Sequence, residues 1–107
     1  EGRCEYAVTG KIEGEVVSAV MDRTFVDEEG IRWIIDYKSG THTGGGLADF
    51  LENEKHRYSA QMSLYAHLMR LKDPARLIRL ALYFPRFAGW CDWADAGGDL
   101  NDLTTGK

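Results

Sequence analysis

Residues 31–38 read Ile31-Arg32-Trp33-Ile34-Ile35-Asp36-Tyr37-Lys38. The Ile and Trp content is that of a strand buried on both faces, which predicts a central place in a sheet. Alternation sets Ile34, Asp36 and Lys38 on one face and Trp33, Ile35 and Tyr37 on the other. Asp36 and Lys38 therefore point the same way, about 7 Å apart along the strand.

Working backwards, Asp27-Glu28-Glu29-Gly30-Ile31 fits a three-residue hairpin loop with Gly30 in the left-handed position. Residues 15–25 (EVVSAVMDRTF) before it, and 5–12 (EYAVTGKI) before those, read as two further strands joined by a Glu13-Gly14 turn. The loop places Asp27 opposite Ile31. Counting on from there, Phe25 faces Trp33 and Met21 faces Tyr37, two apolar pairs suited to a buried face, and Asp22 falls opposite Asp36. A loop one residue shorter or longer shifts this register.

Working forwards, residues 39–46 (SGTHTGGG) hold four glycines and predict a flexible loop. From Leu47 to about Lys72 apolar residues recur at helical spacing, as one bent helix or as two broken near Asn53, and Asp73-Pro74 stops the pattern. Residues 76–84 (RLIRLALYF) predict a fourth strand, parallel to a neighbour because a helix precedes it. Residues 88–94 predict a short fifth, and 96–107, rich in Gly, Asp, Asn and Thr, a weakly ordered tail. The order β-β-β-α-β-β is that of an α/β layer fold with a mixed sheet.

Composition narrows the function classes. The 107 residues are 44% hydrophobic and 28% charged, as in one ordinary globular domain. A net charge of −4 gives no global attraction to nucleic acid, so any such binding must be local. No apolar run approaches the ~20 residues of a membrane span. Without a basic-then-apolar leader, and with two cysteines too far apart for a metal site of their own, a cytoplasmic protein with reduced thiols is expected. The start at Glu1, close to a strand, suggests a piece of something longer. No phosphate-binding GxxxxGK[ST] loop and no Ser or Cys nucleophile arrangement occurs. His42, His56 and His67 share no ligand spacing and read as solvated.

Two carboxylates directly across an antiparallel pair have Cβ atoms roughly 4.5–5.5 Å apart. They repel one another, and burial adds to the cost. A hard divalent cation, Mg²⁺ or Mn²⁺, removes that conflict because carboxylate oxygens are its preferred ligands. Lys38 beside them can hold a water or a phosphate oxygen and stabilise developing negative charge. On the helix, Gln61 and Tyr65 lie four apart on one face, near Tyr58 and Leu68, and can bind a phosphate or a base.

Asp22 in VMDRTF, WIIDYKSG at 33–40, and Gln61-Met62-Ser63-Leu64-Tyr65 together resemble the PD-(D/E)xK nucleases. More narrowly they resemble the RecB-like nuclease domain at the C-terminus of bacterial helicase–nucleases of the RecB and AddA type, over about residues 1–94. The resemblance implies a restriction-endonuclease-like fold, with a nuclease core over 1–95. It implies Asp22, Asp36 and the carbonyl of Tyr37 as metal ligands, Lys38 as the catalytic lysine, and Gln61 and Tyr65 as the QxxxY pair that binds substrate. The substrate would be DNA, with the rest of a helicase chain and a second subunit as partners, in exonucleolytic repair and recombination. The chain begins too late to include the family's usual helical His ahead of the first strand, and it does not contain the four-cysteine iron–sulfur clasp of some relatives. Glu5 is a possible minor acidic contributor that parity alone does not place. Alternatives are a non-catalytic DNA- or protein-docking module of this fold, or a freestanding nuclease.

Overall fold

The computed structural model describes residues 3–42 and 46–96, with side chains from Glu5 onward. Five strands form one sheet in sequence order: β1 (Arg3–Ile12), β2 (Glu15–Val26), β3 (Arg32–Tyr37), β4 (Ile78–Phe84) and β5 (Gly89–Ala94). Helix α1 (Leu47–Lys72) crosses from β3 to β4, which makes that pair parallel, while every other pair is antiparallel. β3 is central, as its apolar content predicts. A short 3₁₀ turn at Pro85–Phe87 separates β4 from β5.

Several sequence expectations shift. The helix is one element through Asn53; Gly46 precedes it in the left-handed conformation, and Asp73 ends it with its N–H bonded to the Met69 carbonyl. β4 starts at Ile78 rather than residue 76, leaving Leu77 exposed. The expected tail, from residue 97 onward, and loop residues 43–45 lie outside the described residues.

One face of the sheet packs on α1. Val8, Met21, Ile34, Ile78, Leu80, Leu82 and Phe84 meet Met62, Tyr65, Ala66, Leu68 and Met69 in the core. The helix seats closely over β1, because Gly10 has no side chain there: a Cβ would lie 2.8 Å from Leu71 Cδ1 and 3.1 Å from Leu68 Cδ2. At the helix C-terminus, the Asp73 carboxylate accepts bonds from Arg32 and sits 3.2 Å from Arg76 Nε, which ties the helix end to the start of β3.

The opposite face carries an aromatic run. Phe25 stacks on Trp33, Trp33 meets Trp90, and Tyr83 meets both Trp90 and Tyr37, with centroids 6.0–6.4 Å apart. The Phe25–Trp33 pairing matches the sequence count, but on this outer, half-buried face.

The expected Met21–Tyr37 pair does not form. Met21 is fully buried beneath the helix, whereas Tyr37 is 45% exposed on the outer face. The cause is a break in strand alternation. Met21 and Thr24 are both buried although three residues apart. The β1–β2 ladder passes from Tyr6↔Met21 to Cys4↔Arg23, and between them Glu5 adopts a left-handed φ of 57°. The register is the same on both sides of Glu5, so no residue is inserted; the left-handed backbone there coincides with the loss of alternation in β2 opposite it. Beyond it Thr24 pairs with Ile34, so Asp22, two residues from Thr24, shares the helix-facing side with its neighbour Met21.

Candidate functional site

β3 ends at its carboxyl terminus beside β2 and under α1, and there Asp36, Lys38, Asp22, Gln61, Tyr65 and Tyr58 converge. Extrapolating the Arg23↔Ile35 register by one step puts Asp22 opposite Asp36, as the hairpin count requires. The ladder has stopped by this point. In its place the Asp22 carboxylate accepts the Tyr37 N–H at 2.8 Å. Asp36 is buried, 6% exposed, and lies within hydrogen-bonding reach of Asp22.

Burial is the largest influence on Asp36, and it pushes the carboxyl above its ordinary value. Lys38, whose Nζ sits 2.6 Å from Asp36 Oδ2, opposes that shift, while Asp22 adds to it by hydrogen bonding and by charge. Burial and acid–acid repulsion together outweigh a close cation. Tyr65 responds likewise: burial first, then the Asp36 carboxylate, raise its phenol.

Lys38 is held on several sides. Its Nζ approaches Gln61 Oε1 at 3.5 Å, a long bond, and lies 3.6 Å from the centroid of the Tyr58 ring. Gln61 Nε2 donates to Tyr65 Oη at 3.0 Å, so the two helix residues form one linked pair. Asp22, Asp36, Lys38, Gln61 and Tyr65 therefore lie in one connected group, while the Tyr37 side chain faces outward and joins through its backbone.

The donor set suits a hard divalent cation. Asp22 and Asp36 offer carboxylate oxygens in mutual repulsion, which is the electrostatic condition such an ion relieves. In an extended strand the N–H and C=O of one residue point to the same side. The Tyr37 N–H faces Asp22, so its carbonyl faces the same side of β3. Among the described residues no three His, Cys, Asp or Glu side chains form a cage, and Glu5 is exposed and joins no such group. A cation here would complete its shell with water and substrate, as Mg²⁺ does.

His56 and His42 make their contacts elsewhere. His56 pairs with Glu52 on the exposed helix surface. His42, expected to be solvated, instead packs on Phe50 at 4.7 Å and on Phe87 at 6.1 Å. The Tyr58–Lys38 contact is the one site feature that sequence reading did not single out; Tyr58 stands three residues before Gln61, one turn back on the same face. Two concavities, of about 430 and 360 Å³, lie at the far end of the sheet around Arg76 and Leu77. They are separated from Asp36 by the length of β3.

Compared with known proteins, residues 3–93 match the family model of the PD-(D/E)XK nuclease superfamily. Among solved structures, nine chains match. The crystal structure of SSO0001 superposes with a TM-score of 0.55 at 16% identity, over 97% of this chain and 47% of that one. The chain thus spans about half the length of that protein, and the likeness is one of fold. A search of the curated proteins gives no match.

Proposed function

The chain belongs to the PD-(D/E)XK nuclease superfamily, with its restriction-endonuclease-like mixed α/β fold, and from that premise we propose that it hydrolyses DNA phosphodiester bonds with the help of Mg²⁺ or Mn²⁺. The observation that carries the reading is the buried Asp36 carboxyl with Asp22 in hydrogen-bonding reach and the Lys38 ammonium at 2.6 Å. No helix among the described residues is long and apolar enough to cross a membrane.

Asp22, Asp36 and the Tyr37 carbonyl would hold the cation. When bound, it supplies a polarised water and a counter-charge for the phosphoryl oxygens. Lys38 orients the attacking water and offsets the negative charge that develops on the phosphate. Its bond to Gln61 is the longest it makes, so that donor is the one most readily given over to a phosphate oxygen. Gln61 and Tyr65 then contact the strand being cut.

The finer reading rests on the sequence motifs. Residues 1–95 would be the nuclease core of a RecB- or AddA-type helicase–nuclease, an exonuclease acting in cytoplasmic repair and recombination of broken DNA. The rest of the helicase chain and a second subunit would be its partners. The test is digestion of linear DNA by the full chain with Mg²⁺ or Mn²⁺, comparing Lys38→Ala and Asp36→Ala with wild type. Both substitutions should abolish cleavage with the fold intact. Normal digestion by the Lys38→Ala protein overturns the assignment.

A further inference from the structure

The Lys38 ammonium carries three N–H donors, and oxygen partners account for two of its directions: Asp36 Oδ2 at 2.6 Å and Gln61 Oε1 at 3.5 Å. The remaining approach is closed by the face of Tyr58, whose ring centroid lies 3.6 Å from Nζ. The Lys38 side chain is only 16% exposed, so water competes little with this contact. A cation over a ring face is attracted by the ring quadrupole, and most strongly where it is desolvated. The Arg57 guanidinium also approaches this ring, at 5.1 Å, but its side chain is 67% exposed and pairs with Glu54.

We infer that Tyr58 is a positioning residue for Lys38: its π face fixes the ammonium beside Asp36 while leaving the Gln61-facing donor free to be exchanged for a phosphate oxygen. The inference rests on the catalytic reading of Lys38. The two oxygen partners differ in what they can give up. Asp36 is charged and close, and Gln61 is neutral and distant. A ring, unlike a third oxygen acceptor, holds the nitrogen in place without fixing its rotation, because the face accepts any of the three N–H bonds. Substrate can then reorient the donors without moving the charge.

The test compares Tyr58→Phe, which keeps the ring, with Tyr58→Leu, which removes it, in the full chain. By NMR, the Lys38 methylene signals next to Nζ should lie upfield through the ring current in wild type and in Tyr58→Phe, and move downfield in Tyr58→Leu. With linear DNA, Tyr58→Leu should lose roughly tenfold in kcat with KM unchanged, while Tyr58→Phe stays at the wild-type rate. Should Tyr58→Leu fail to fold, Tyr58→Met keeps apolar bulk without a π face and is expected to behave as described for Leu. Wild-type kcat in a folded ring-less variant, or equal losses in Phe and Leu, overturns the inference. Normal cleavage by Lys38→Ala alone would instead remove the reading beneath it, while the ring-current shift would still report the contact.

Discussion

The Asp22 carboxylate takes over the hydrogen bond that a continued β2–β3 ladder would have given the Tyr37 N–H, at 2.8 Å. One side chain thus serves as a backbone acceptor and as half of an acid pair. The two roles separate by substitution. Asp22→Asn keeps an acceptor for Tyr37 and loses the charge; Asp22→Ala loses both. Both should reduce cleavage by more than ~100-fold, but only the Ala variant should also lose hydrogen-exchange protection at the Tyr37 amide. Equal protection in the two would detach Asp22 from the end of β3.

Divalent cation should stabilise the protein. A ligand that binds only the folded state at 100 times its Kd adds about 2.7 kcal/mol. Thermal melts with and without Mg²⁺ or Mn²⁺ should therefore separate, and Asp36→Asn should abolish the separation. Calorimetry should show one site lost in the same variant. A metal-induced rise that persists in Asp36→Asn would place the ion elsewhere.

Acid should loosen the hairpin that sets the register. The Asp27 carboxyl is held below its ordinary value first by the Trp33 indole N–H, then by the Ile31 amide, with the Glu29 amide contributing as well. The folded state thus favours the ionised form. The stability this contributes is complete above the ordinary carboxyl value and is lost as pH falls through that value toward the lower, folded one. In Asp27→Asn, the melting temperature should fall less steeply over this acid range than in wild type. Parallel curves would rule out this origin.

Gly10 should tolerate a methyl group but not a branched side chain. The Cβ of Ala would press on Leu71 Cδ1, the tip of a half-exposed side chain that can swing away. Its 3.1 Å contact with Cδ2 of the buried Leu68 is relieved by a small shift, but the γ-methyls of Val would press further on Leu68, and overpacking of that kind costs about 1–3 kcal/mol. Denaturant midpoints should leave Gly10→Ala near wild type and lower Gly10→Val.

The β2–β3 register was legible in the sequence because the loop that sets it carries its own chemistry. Gly30 takes the left-handed φ of 83° expected of it, and the Asp27 N–H bonds the Ile31 carbonyl, so the two residues stand opposite as counted. From that count Asp22 and Asp36 fall together, and Met21 is the residue that the break opposite Glu5 puts out of step. Burial was less legible. Alternation alone assigned Met21 to the side of Tyr37, since nothing in the letters around Glu5 announces a left-handed residue in a strand. His42 likewise read as a polar loop residue, and only the tertiary approach of Phe50 and Phe87 gives it an apolar setting. The Tyr58 contact needs the helix docked over β3 at a particular height, which no periodicity encodes.

The left-handed turn at Glu5 has an evolutionary corollary. Asp22 keeps step with β3, and the fault opposite it lets Met21 next door belong to the packing as well. A descendant whose first ribbon ran straight could keep only one of the two neighbours inside: the acid beside Asp36, or Met21 in the hydrophobic interior with the acid turned out to solvent. In the second case a folded but inert relative would carry the same DYK letters and be told apart by the geometry at residue 5.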